Sequence, residues 1–198
     1  MIDVATHIML MKQKRGMCYR KGNCYIEIAE SGHISIDEEK KLLLDCSWLK
    51  EDPLTTILAI RAGASLIVKD NFSIYSGAEI FVNKNAELVL GSGYINNHFN
   101  LHCFKRIEIG GDVAIADHVT IRDSDSHLFN GNTVDEMTKP ISIGDHVWIG
   151  TGAIILKGVH IGNGSVIAAG AVVTKNIPAG CLAGGVPARV LQTGVVWE

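Results

Sequence analysis

From Ile143 to Val173 an aliphatic residue returns at every sixth position: Ile143, Ile149, Ile155, Ile161, Ile167 and Val173. Four places after each stands a residue that is mostly small or β-branched: Val147, Ala153, Val159, Ser165, Ala171 and Ile177. A period of six fits neither the helical repeat near 3.6 nor the alternation of a plain strand. It fits a short strand and a tight corner, repeated. The aliphatic side chain points inward, the next position is crowded, and Gly or Asn takes the corner, where φ can be positive. Three units make one triangular turn of about 18 residues, and stacked turns bury a continuous column of Ile and Val. The expected fold is all-β, a parallel β-helix with the shape of a triangular prism. The competing reading is a Gly-rich sandwich, whose strands would vary in length and spacing.

The same step runs through Ile109, Ile115 and Ile121, with Val113 and Val119 four places on. Ile121 and Ile143 are separated by a number of residues that six does not divide, so 123–140 (DSDSHLFNGNTVDEMTKP) is read as an insertion looped out between repeats. Upstream, Val68, Ile74 and Ile80 keep step, and Val82 and Leu88 resume in a shifted phase. Ile26–Ile28 and Ile34–Ile36 alternate like strands, while Val4 to Met17 suits a short helix. The organisation expected is an irregular or helical segment at 1–23, a β-helix at 24–178 carrying the loop 123–140, and a tail at 179–198. Within that tail Pro187 closes a turn that leaves the last coil at Ile177, and the chain then folds back along the prism.

Composition narrows the function. The 18 basic and 21 acidic residues give a net charge of −3, which argues against a nucleic-acid binder. Every long apolar stretch is broken by Gly, Asp or Asn, short of the roughly 18 residues of a membrane span. The first residues lack a basic segment followed by an apolar block, so a cytoplasmic location is expected. The five cysteines are odd in number, scattered and without a Cys-x-x-Cys pair, which favours buried free thiols over disulfides or a thiolate zinc site.

Several segments occur in an order that resembles a known family: Gly91-Ser92-Gly93-Tyr94-Ile95-Asn96, Ile109-Gly110-Gly111-Asp112-Val113, Asp123-Ser124-Asp125-Ser126-His127, Val147-Trp148-Ile149-Gly150 and Ala183-Gly184-Gly185-Val186-Pro187-Ala188-Arg189-Val190. Together they look like the hexapeptide-repeat O-acetyltransferases, the group of galactoside, maltose, xenobiotic and bacterial-polysaccharide enzymes. The resemblance runs from about Gly63 to the end. It implies a left-handed β-helix, acetyl-CoA as co-substrate without a metal, a carbohydrate or other small hydroxyl acceptor, and a homotrimer with sites between subunits.

Acetyl transfer from a thioester to a hydroxyl needs a base for the alcohol proton, donors for the oxyanion and cations for the nucleotide phosphates. His127 sits in the one large insertion, with Asp123 and Asp125 beside it in sequence to orient its ring or raise its pKa. By resemblance it is the catalytic base; the plain alternative is a solvated loop histidine. A calcium loop beginning at Asp123 fails, because its sixth and twelfth positions hold Leu128 and Val134. Asn96 is carried over as the residue that meets the acceptor, and a corner asparagine is its structural alternative. For the coenzyme, the resemblance implies Trp148 near the groove and Thr151 by the thioester. It puts Ala169 along the pantetheine, and Thr174, Lys175 and Arg189 at the adenosine phosphates. A subunit anchor is the other reading of Trp148, and a solvated charge that of Lys175. The acidic and aromatic acceptor contacts of the galactoside and maltose enzymes have no residue-by-residue match here. The early part looks more like enzymes that decorate capsule or exopolysaccharide sugars.

Two rival functions share the prism. A γ-carbonic-anhydrase-like zinc site needs three histidines, two of them five apart; His98, His102, His118, His127 and His146 give no such pair. A non-catalytic scaffold or carbohydrate-binding module has no need of the insertion. A xenobiotic acceptor, such as an antibiotic, remains an alternative within the acetyltransferase class.

Overall fold

In the computed structural model, which describes residues 16–128, 130–131 and 133–198, the aliphatic columns form the core of a three-sided prism. The chain circles it as A, B, C in each coil. Face A contains β1 (Met17–Arg20), β4 (Lys41–Cys46), β7 (Phe72–Tyr75), β10 (Gly93–Ile95), β13 (Val113–Ile115), β16 (Trp148–Ile149), β19 (Val166–Ile167), β21 (Cys181–Gly185) and β22 (Ala188–Thr193). Face B contains β2 (Cys24–Ile28), β5 (Thr56–Ile60), β8 (Glu79–Val82), β11 (Asn100–Cys103), β14 (Thr120–Arg122), β17 (Ile154–Leu156) and β20 (Val172–Val173). Face C contains β3 (His33–Ile36), β6 (Ser65–Val68), β9 (Glu87–Leu90), β12 (Arg106–Ile109), β15 (Ile141–Ile143) and β18 (His160–Ile161). Neighbouring strands are parallel, apart from the antiparallel pair β21 and β22.

The register stacks like on like. In face A, Leu44, Ile74, Ile95, Ile115, Ile149 and Ile167 lie one above the other and are all but inaccessible. Each such side chain taken from water contributes about 1.5–3 kcal/mol. Because each coil touches mainly its neighbours, the core is a sum of layers. Between Ile149 and Ile167 the chain takes three hexads per turn; in the coils before, longer corners interrupt the period.

The corners are where the six-residue unit closes. On the A–B edge one column is Gly77, His98, His118, Gly152 and Gly170, every member with φ between +56° and +74°. The sequence suggested Gly or Asn for such places, yet His98, His118, His146 and Asp112 adopt the left-handed conformation too. His, Asn and Asp tolerate it better than other side chains, and the rings of His98 and His118 stack at 4.6 Å. At Gly93 the constraint is crowding, since a Cβ there would lie 2.1 Å from the carbonyl oxygen of Val113.

Several boundaries differ from the expected ones. The coils take in β1, which pairs with β4, upstream of residue 24; the helix expected over Val4–Met17 lies, up to residue 15, outside the described residues. The stretch expected as a turn after Ile177 contains β21, paired with β19, and β22 then folds back on it. All five cysteines are free. Burial pushes Cys18 and Cys24 up to about 12 and about 11. No helix among the described residues is long and apolar enough to cross a membrane.

Candidate active site

The inserted loop leaves the prism at the B–C edge, between β14 and β15. Asp123, wholly buried at its root, accepts hydrogen bonds from the amides of Phe104, Lys105 and Arg106 at 2.7, 2.8 and 2.9 Å. That ties the corner of the coil beneath to the loop's first residue. The neck is closed by a bridge between Ser124 and Thr138, by Thr138 Oγ1 donating to Ser124 Oγ at 3.0 Å, and by Lys139 N donating to Asp123 O at 3.0 Å. Arg122 lies 5.2 Å over the Phe104 ring and donates to Ser124 O at 3.0 Å and to Ser126 Oγ. On the return side, Thr133 and Glu136 form a capping box for the single turn α1 (Val134–Met137). Lys157, from the next coil, pairs with Asp125 at 2.5 Å and donates to Glu136 O at 2.5 Å.

His127 stands exposed beyond this neck. The expectation that Asp123 and Asp125 orient its imidazole is corrected here. Asp123 is consumed by three backbone amides, because it caps the coil below, and Asp125 faces Lys157. The loop thus holds its histidine through backbone and root, not through a carboxylate dyad.

Asn96 occupies a different edge, A–B, one coil above Tyr75 and one below Ala116. Its Oδ1 is buried with no hydrogen-bond partner, an unusual state for a corner amide. Beside it runs a polar column. Asn97 Nδ2 donates to Ser76 Oγ at 2.7 Å, Asp117 follows on the next coil, and Thr151 Oγ1 donates to Asp117 Oδ1 at 3.0 Å. Thr151 and Ala169 continue that column. The amides of Gly150 and Gly152, on either side of Thr151, are spent on the carbonyls of Ile167 and Asp117.

The expected site residues therefore fall into two groups. Asn96, Thr151 and Ala169 share the A–B edge, with Trp148 half-exposed on the adjoining face A and Arg189 on β22 of the same face. His127 is on the B–C edge, and Thr174 and Lys175, both exposed, follow β20 on that side of face B. Within one chain His127 and Asn96 stand on different edges of the prism. Asp117, Arg122 and Lys157 position these groups and escaped sequence reasoning. Only spacing within the hexads marks Asp117 as the corner neighbour of Thr151, and nothing local marks Lys157. The C-terminal segment adds Trp197, which stacks on His146 at 4.1 Å and lies 6.2 Å from Trp148. Among the described residues no group of three His, Cys, Asp or Glu is arranged to hold a metal ion.

Comparison with known proteins agrees with this architecture. Residues 140–175 match the family model described as hexapeptide repeat of succinyl-transferase. The galactoside O-acetyltransferase of Escherichia coli K12 is 36% identical over 118 residues, 57% of each chain. A 2,3,4,5-tetrahydropyridine-2,6-dicarboxylate N-acetyltransferase of Staphylococcus aureus is 49% identical over 53 residues, 27% of this chain and 22% of that one. Among solved structures, the polySia-specific acetyltransferase NeuO superposes with a TM-score of 0.67 at 27% identity, covering 94% of this chain and 90% of that chain. These likenesses are to hexapeptide-repeat acetyltransferases, and the three-sided prism is their fold, the left-handed parallel β-helix. The chain spans about half the length of the curated relatives it matches.

Proposed function

We propose that the protein is an acetyl-CoA-dependent O-acetyltransferase that acetylates a hydroxyl of a sugar or polysaccharide precursor, with His127 as general base. The observation that carries this reading is the built loop. The prism spends a buried carboxylate, an arginine and a lysine to hold one exposed histidine off its B–C edge. A scaffold has no use for such a device. The likeness to NeuO over nearly the whole chain and to a galactoside O-acetyltransferase over 57% of it supports acetyl transfer to a saccharide.

In the proposed reaction the acceptor oxygen attacks the thioester carbonyl carbon while the imidazole of His127 takes the hydroxyl proton. The tetrahedral oxyanion meets the Thr151 N–H, the donor left over between two amides that the coil consumes. Collapse breaks the carbon–sulfur bond, and the imidazolium returns its proton to the departing thiolate. No acyl-enzyme forms and no metal takes part. Asn96 holds the acceptor by its side-chain amide. The coenzyme lies by Trp148, Thr151 and Ala169, with its phosphates toward Thr174, Lys175 and Arg189. Because His127 and Asn96 project from different edges, a complete site takes the histidine of one copy and the A–B edge of another, as in a homotrimer. The reaction is assigned to the cytoplasm, where acetyl-CoA is made and thiols stay reduced.

The test is acetyl-CoA with a panel of free and polymeric sugars and with antibiotics bearing hydroxyls, the products read by mass spectrometry. Transfer to a saccharide that falls by two to four orders of magnitude in His127→Ala is expected. Near-normal transfer by that variant overturns the catalytic assignment, and exclusive transfer to an antibiotic reassigns the acceptor.

A further inference from the structure

Trp48 is 71% exposed, among the most open of the large apolar side chains on the molecule. Exposed tryptophans usually swing freely, but this one lies flat on Tyr75, with ring centroids 4.7 Å apart and planes at 19°. Its loop, the long corner between β4 and β5, is fastened from several sides by Asp52. That carboxylate accepts from Ser47 Oγ at 2.6 Å, from Leu54 N at 2.9 Å and from Ser76 Oγ at 2.6 Å. Ser47 Oγ in turn accepts from Leu49 N at 3.0 Å, across Trp48 itself. Those same interactions hold the Asp52 carboxyl below the ordinary aspartate value, so the clamp is charged at neutral pH.

The position matters more than the exposure. Tyr75 ends β7, and Asn96 stands directly above it on the next coil of the A–B edge. Ser76, the residue that Asp52 grips, also accepts from Asn97 Nδ2 at 2.7 Å. The tryptophan is thus bound rigidly to the corner that carries the acceptor residue. Tyr94, 42% exposed on β10, flanks the same place on face A.

We propose that the Trp48–Tyr75 pair is the shelf on which a pyranose ring of the acceptor stacks, presenting its neighbouring hydroxyls to Asn96. A sugar has an apolar C–H face and a polar rim. The shelf offers an aromatic plane beside the fixed polar groups of Ser47 and Asp52, the combination of one apolar surface with a few fixed polar groups that ligand sites use. A second copy of the chain is the poorer occupant, since charged residues are depleted from the centres of protein interfaces. The shelf deepens the saccharide reading of the preceding section and rests on it for the word acceptor, but its test does not require turnover.

The protein, without acetyl-CoA, is applied to an array of neutral and acidic pyranose oligosaccharides. The wild type is expected to retain a subset, Trp48→Ala to bind that subset roughly tenfold more weakly, and Trp48→Phe to recover most of the loss. Thermal unfolding of each variant checks the fold, and light scattering checks its oligomeric state. The shelf is overturned if the wild type binds no pyranose, if Trp48→Ala binds as the wild type does, or if Trp48→Ala changes the oligomeric state while binding stays intact. Glycan binding that depends on Trp48 in a protein without acetyl transfer sinks the O-acetyltransferase reading and leaves the shelf standing.

Discussion

Single side chains carry unequal burdens here, and Asp123 carries more than its place beside the histidine suggests. Replacing it with alanine leaves three part-buried amide donors, those of Phe104, Lys105 and Arg106, without their acceptor. At about 1–3 kcal/mol for each, Asp123→Ala is expected to lose about 3 kcal/mol or more of stability in denaturant unfolding. His146 makes a different prediction, about pH. Its pairing with Asp112 at 2.7 Å, and then its contact with Trp197 O at 3.0 Å, raise its pKa above the ordinary 6.5. A histidine raised in the folded state contributes fully below about 6.5 and loses that contribution as pH climbs through the higher value. The Trp197 strap is therefore expected to hold at mildly acidic pH and to loosen as the pH climbs through that raised value. Tryptophan fluorescence followed from pH 6 to pH 9 should show a transition that His146→Gln abolishes; a flat trace in the wild type contradicts it.

At the scale of elements, the inserted loop is an independent attachment. The coil beneath closes at Asp123 and Lys139, and the Ser124–Thr138 bridge already brings the neck together. Deleting residues 126–136 and joining the neck with two glycines is expected to leave the β-helix folded, with its melting temperature within a few degrees, and to abolish transfer. Collapse of the fold instead would mean that the loop is part of the core. The contrast between early and late coils explains what could be read in advance. From Ile143 onward each hexad contributes one inward Ile or Val, so periodicity alone predicts β15 to β20. Before that the unit is broken by corners of unequal length. Asp45 adopts φ +59° where β4 slips register against β7, and the Trp48 corner is inserted there. A period search loses phase at such a bulge, which is why the coils from β1 to β5 were only loosely legible. The loop histidine was legible because a gap in a strict repeat stands out. Its supports were not, because Asp123 and Lys157 act through contacts with neighbouring coils that sequence distance hides.

For the whole molecule the deciding fact is that Asn96 and His127 occupy different edges of one prism. A sequence shows their order and not their azimuth, so only the coil geometry separates them. Either each acts alone or a second copy completes the site, and in the proposed reaction a second copy does. Complementation between inactive chains measures this most directly. Asn96→Ala and His127→Ala chains are each expected to be nearly inactive alone. After denaturation and refolding together, about a quarter of the interfaces should unite an intact Asn96 with an intact His127 from its neighbour, restoring transfer in that proportion. A refolded mixture that stays as inactive as its components would contradict the shared site, and with it the proposed geometry of the reaction.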